Sequence, residues 1–274
     1  MPVNPIDDFL KTLTSPRTVE RYRAALKEFT TWYSQTLGQQ PDWNLLTAVE
    51  VREYLTYLQT VRRLSPASVN LRLAAIRSLL RHMGRTLRVR GPKQVTAPVQ
   101  ALSARELGRL FAAAEGDARN TAILNLLARA GLRVGEVVCL RLEDVEISSR
   151  SGWMTVRGGK GNKTRRVPLN TEVRQALKAW LEERPQVRGD WLFLSRTGNS
   201  LNVRDVQRMV AEYARIAGVK ATPHTLRHTF ATRAIQKGVD VATLAAILGH
   251  SRLETTGRYL HPTAERMLEA VEGV

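Results

Sequence analysis

The chain has 274 residues, 43% of them apolar and 24% charged, enough to bury one large core or two of ordinary size, which excludes wholesale disorder and a disulfide-dense scaffold. Its one cysteine, Cys139, rules out an internal disulfide and a cysteine-based metal cage; no run approaches the roughly 20 apolar residues of a membrane span, and residues 1–8 lack signal-peptide order. The 42 Lys+Arg against 25 Asp+Glu give a net charge of +17, and 34 of the 42 are arginine, whose planar fork fits phosphate, so a cytoplasmic, nucleoid-associated protein with a nucleic-acid partner is expected.

In chain order, the helical signals begin at Ser15-Pro16, an N-cap with proline at the first helical position, followed by Val19, Tyr22, Leu26, Phe29 and Tyr33 at spacings of three and four. Thr47 with Glu50 reads as a capping box opening Val51, Tyr54, Leu55 and Leu58. Ser65-Pro66 repeats the first start signal ahead of Val69, Leu73, Ile76, Leu80 and Met83. Three or four amphipathic helices thus fill residues 5–88, a small all-helical domain spanning 1–88. Residues 89–101 lose the apolar period, carry two prolines and read as a linker.

A second domain, 102–274, opens on the capping box of Ser103 and Glu106 and continues through Leu107, Leu110, Phe111 and then Ile123, Leu126 and Leu127. Gly131 is placed to end that helix, which sets Leu132 and Arg133 at a helix–helix corner. Cys139, within Val137-Val138-Cys139-Leu140, reads as core. Residues 153–157 and 164–169 flank the basic turn Gly158-Gly159-Lys160-Gly161-Asn162-Lys163 as a β-hairpin. Helices are expected again at 171–183, 203–217, 223–237 and 241–248. The fold class is therefore mainly α: a helical bundle followed by a mixed, mostly helical domain with a small β-hairpin or sheet. Both domains are basic, at net +8 for residues 1–99 and +9 for 100–274.

Four places carry chemistry. At Thr222-Pro223-His224-Thr225-Leu226-Arg227, Thr222 caps a helix and His224 and Arg227 fall three apart in its first turn, where unpaired N–H groups and the positive end of the dipole favour phosphate. His228 completes HxxxH spacing with His224, but Thr225 stands where a zinc motif needs glutamate, and no metal site is expected. Arg133, with Glu136 three residues on to orient it, offers a second guanidinium for a clamp on phosphate oxygens. Lys160, on its glycine-flanked turn, is placed to donate a proton to a leaving oxygen, while Lys163 and Arg165 beside it are expected to touch DNA. Leu248-Gly249-His250-Ser251 ends a helix and exposes His250, and Tyr259 follows nine residues later.

The order Arg133, Lys160, His224-x-x-Arg227, His250, Tyr259 resembles the active-site series of the tyrosine recombinases, the phage integrase and Xer-type family, at all six positions. The strings Ala130-Gly131-Leu132-Arg133, Gly159-Lys160-Gly161-Asn162-Lys163, Pro223-His224-Thr225-Leu226-Arg227-His228-Thr229-Phe230-Ala231-Thr232 and Leu248-Gly249-His250-Ser251 reinforce it, and residues 5–88 look like the family's SAM-like core-binding domain. The resemblance implies that Tyr259 attacks a scissile phosphate to leave a 3′-phosphotyrosyl bond. Arg133 and Arg227 would hold the non-bridging oxygens, Lys160 protonate the 5′-oxygen, His224 act as general acid/base and His250 hydrogen-bond the phosphate, with no cofactor, metal or ATP. It also implies two duplexes bearing paired half-sites, with one basic domain closing on each side of the DNA.

The tail, 260–274, carries Leu260, Ala264, Met267, Leu268 and Val271 as an apolar stripe beside Glu265, Glu269 and Glu272. It is suited to protein rather than DNA, and the resemblance implies a tetramer joined through it. A type IB nicking–closing topoisomerase uses similar residues as a monomer, which that tail argues against. A non-catalytic helix-turn-helix regulator would explain the charge but not the six placed residues.

Overall fold

The structure is a computed structural model that describes residues 4–93, 100–157, 164–187, 189–195 and 197–249. Two compact units divide the chain, Met1–Ala97 and Pro98–Val274.

The first unit is four helices, α1 (Pro5–Lys11), α2 (Pro16–Leu37), α3 (Ala48–Thr60) and α4 (Pro66–His82). The start signals read from the sequence are the ones in place: the Ser15 and Ser65 hydroxyls accept from the N–H groups of Thr18 and Ser68, and Glu50 accepts from the backbone and hydroxyl of Thr47. α2 and α3 each pack against α4, and Leu26, Phe29, Val51, Tyr54, Leu58, Val69, Leu73, Ile76 and Leu79 fill the interior. Phe29 meets Tyr54 edge to face at 5.0 Å, a geometry that suits the ring quadrupoles. Val89, placed by the sequence at the start of the linker, is instead buried in this core, and the Asn70 side chain donates to the Pro92 carbonyl at 2.9 Å. The chain therefore stays fastened to α4 well past the end of the helix.

The second unit is built round α6 (Ala118–Arg129), whose residues Ala122 to Ala128 are all buried. It packs against α8 (Thr171–Glu183) on one side and α10 (Pro223–Gln236) on the other, with α5 (Ala104–Ala113) and α9 (Val203–Ile216) completing the shell. The hairpin is present as β2 (Gly152–Val156) and β3 (Arg165–Pro168), antiparallel, with Val156 opposite Arg165 next to the turn. A third strand, β1 (Val145–Ile147), pairs with β2 through Val145 opposite Met154, and a single turn, α7 (Val134–Val137), follows the α6 corner. Cys139 is exposed, against expectation, because beyond that turn the inward positions fall to Val137 and Leu140. α11 (Val241–Leu248) closes on α10 through Ala231, Ile235, Leu244 and Leu248 and also touches β3. No described helix is long and apolar enough to cross a membrane.

Candidate active site

Three segments far apart in sequence meet at the C-terminal end of α11. The first is the corner after α6, where Gly131 takes a left-handed φ of +68° and a Cβ would come within 2.4 Å of the Phe230 ring. Only glycine lets the chain turn this tightly against α10. Arg133 follows as the residue that opens α7, and Glu136 sits three residues on. The second is the first turn of α10, fixed by Thr222, whose hydroxyl accepts from the Thr225 N–H at 3.1 Å, and by Pro223 at the first helical position. The third is β3, which carries Arg165.

Glu136 is the hub. It is 6% exposed, yet both carboxylate oxygens are fully engaged. The Arg165 guanidinium donates to Oε1 and Oε2 in parallel at 2.8 Å each, the Arg133 guanidinium donates to Oε1 at 2.8 Å, and the Arg133 backbone N–H donates to Oε2 at 2.8 Å. Arg227 approaches to 3.9 Å. Burial alone would push this carboxyl's pKa upward, but the bonds from Arg165 and from the Arg133 backbone outweigh it and hold the value at about 2.

The same arginines converge on α11. Arg165 Nε donates to the Ile247 carbonyl at 2.7 Å, Arg227 to the Leu248 carbonyl at 2.7 Å, and Arg133 to the Gly249 carbonyl at 3.3 Å. Three successive carbonyls at a helix C-terminus, where acceptors are left over and the dipole is negative, each take one guanidinium. Arg227 also donates to the Gly131 carbonyl, tying the α6 corner to α10. Three positive charges against one carboxylate leave the cluster cationic, which suits it to stabilise negative charge developing on a phosphate.

The side chains differ in access. Arg133 is 41% exposed at the side chain, the most open of the three arginines. Arg227 is buried, so His224 and Arg227 do not both stand on the open face of the first turn as their spacing implied: His224 is exposed and Arg227 is turned into the corner. Arg165 corrects a second expectation. It is 13% exposed at the side chain, and its guanidinium faces Glu136 and Ile247 rather than DNA. Lys160, Lys163, His250, Tyr259 and the 260–274 tail lie outside the described residues.

Sequence reasoning did not single out Thr229, which is fully buried in α10. Its hydroxyl donates to the Thr225 carbonyl and accepts from the Leu102 N–H, both at 2.9 Å, and so anchors the start of the second unit to the helix that carries His224 and Arg227. A hydroxyl at i+4 from Thr225 was the only available sign.

Residues 100–266 match the model of the phage integrase family, and residues 9–87 match the phage integrase N-terminal SAM-like domain. The chain belongs to the phage integrase family. Tyrosine recombinase XerA of Pyrococcus furiosus is 36% identical over 234 residues, covering 81% of this chain and 79% of the relative. Among solved structures, that of XerA recombinase aligns at 31% identity over 98% of this chain and 97% of the other, with a TM-score of 0.59. XerH site-specific recombinase bound to its difH substrate aligns at 25% identity over 92% and 78%, with a TM-score of 0.75. Family membership makes the chain a DNA breaking-and-rejoining enzyme, a tyrosine recombinase with a SAM-like first domain and a catalytic second one. It sets aside the reading as a regulator without chemistry.

Proposed function

We propose that this integrase is a site-specific recombinase that exchanges strands between two duplexes through a covalent 3′-phosphotyrosyl intermediate and a four-way junction. The observation that carries the reading is the gathering of Arg133, Arg227 and Arg165 by one buried carboxylate at the end of α11, immediately before His250 in the chain. Arg133 and Arg227 stabilise the charge that builds on the non-bridging oxygens, the electrostatic part that a metal ion plays in many nucleases. Tyr259 attacks the phosphorus, forming the P–O(Tyr) bond as the P–O5′ bond breaks. Lys160 delivers a proton to the departing 5′-oxygen, His224 serves as general acid/base and His250 hydrogen-bonds the phosphate. The 5′-hydroxyl of the partner duplex then attacks the same phosphorus and releases the tyrosine, so the bond energy is conserved and ATP is not required.

The first unit, which includes the buried Val89, and residues 102–274 are assigned as the core-binding and catalytic domains on paired half-sites of double-stranded DNA. This is consistent with the relative XerH having been solved on a difH substrate. Four protomers join through the tail, 260–274, whose apolar stripe needs a cover. Recombination of a duplex carrying two copies of a site, recovered by selecting bound fragments from a random-sequence pool, tests the proposal. The 274-residue chain exchanges the flanks, whereas a chain lacking 262–274 binds a single half-site normally and fails to exchange. Normal exchange by the shortened chain would contradict the assembly.

A further inference from the structure

Arg165 lies on β3, apart from the two arginines assigned to the phosphate, and its side chain is 13% exposed with the guanidinium fully engaged. Its three donor nitrogens are spent on Glu136 Oε1, Glu136 Oε2 and the Ile247 carbonyl, at 2.8, 2.8 and 2.7 Å. The backbone is shaped to admit it: Gly249 ends α11 with φ +64°, and a Cβ there would stand 2.9 Å from an Arg165 terminal nitrogen and 3.0 Å from the guanidinium carbon. β3 thus reaches across to lock the last turn of α11 to the turn that holds Arg133.

We propose that Arg165 is a positioning residue for DNA cleavage: it occupies the buried carboxylate of Glu136 and pins the end of α11, and so keeps Arg133 and Arg227 available to the scissile phosphate. The reasoning is a matter of competition for one anion. Glu136 is buried, so its charge must be met by a cation close by. With Arg165 in place the carboxylate is met by a bidentate fork, the strongest form of this pairing. Without it, the nearest remaining cations among the described residues are Arg133, already bonded to Oε1, and Arg227, at 3.9 Å. Both would be drawn more tightly onto the carboxylate and away from substrate. The cluster would also fall from three guanidiniums against one carboxylate to two against one. Lysine at 165 could restore the charge but not the two parallel bonds or the third bond to Ile247.

This inference rests on the recombinase reading above, and its test separates the two. Nicked duplexes carrying selected sites trap the cleaved complex, and the single-turnover rate of adduct formation at saturating protein is measured beside Kd for the same duplex. Wild-type protein forming no adduct would reject the recombinase reading itself. If it does form one, Arg165→Met is expected to cleave at least about 10-fold more slowly, less than the roughly 10²-fold of a lost transition-state donor because Arg165 acts through its neighbours, with Kd changed by less than about 3-fold. Arg165→Lys should fall between the two. Adding Glu136→Gln to Arg165→Met should recover several-fold of the rate, because the stranded carboxylate is then gone. Cleavage at the wild-type rate by Arg165→Met would overturn the proposal, as would rate and affinity falling together, or a double variant slower than Arg165→Met. Should Arg165→Met lack the wild-type circular dichroism spectrum, Arg165→Lys decides: a reduced rate at unchanged Kd supports the role, and a full rate refutes it.

Discussion

Replacing Glu136 with glutamine isolates the charge that holds the cluster together. The amide keeps the shape and volume of the side chain, so the variant resembles the wild-type protein with this carboxyl protonated. The ordinary value for a glutamate is 4.5, and here it is held at about 2; at about 1.4 kcal/mol per decade, ionised Glu136 contributes about 3 kcal/mol to the second unit at neutral pH. Because the folded-state value is depressed, that contribution is present above pH 4.5 and disappears as the pH falls through about 2. Glu136→Gln should therefore lower the stability of the 98–249 region by about 3 kcal/mol at pH 7, and the gap should narrow between pH 4.5 and 2 by about 1.4 kcal/mol per pH unit. Urea denaturation followed by hydrogen exchange, read on peptides of the second unit and compared with peptides of the first, measures the gap and supplies an internal control. A gap that stays constant across that range, or no loss at pH 7, would refute the claim that a buried ionised carboxylate organises the site.

Arg133→Ala removes the exposed guanidinium without disturbing the Arg165 fork, and should slow cleavage by about 10²-fold or more while weakening DNA binding far less, as measured by single-turnover rate and Kd. Equal losses in both would make Arg133 an ordinary phosphate anchor. Cleavage should persist in EDTA, since guanidinium groups supply the positive charge, and a loss restored by added Mg²⁺ or Zn²⁺ would contradict this. Affinity should fall steeply as salt is raised from low to physiological levels, because a chain of net charge +17 displaces counterions from the phosphate backbone; a salt-independent Kd would argue against that footprint.

Most of the helical frame was legible because its boundaries are encoded locally. Ser15-Pro16, Thr47 with Glu50, Ser65-Pro66, Ser103 with Glu106 and Thr222-Pro223 each satisfy or pre-empt backbone donors within one turn, and each opens a helix in the structure. β1 was not legible because three residues carry too short a pattern, and its register comes from β2. The Arg133–Glu136 pair was visible for the same local reason, being three residues apart. Arg165 was misread because its partners are 29 and 82 residues away, and next to a basic turn an arginine facing inward looks no different from one facing DNA. The burial of Arg227 was hidden in the same way: its role depends on carbonyls of Gly131 and Leu248, which have no side-chain signature at all.

The central claim is a covalent protein–DNA intermediate formed through Tyr259. Incubation with a nicked duplex bearing a selected site, followed by a denaturing gel and mass spectrometry of the linked peptide, tests it directly. The account predicts a slow-migrating adduct carrying the 3′-phosphate on the peptide that contains Tyr259, absent from Tyr259→Phe even though that variant binds the duplex as the wild-type protein does. An adduct that survives Tyr259→Phe, or that maps to another residue, would contradict the account.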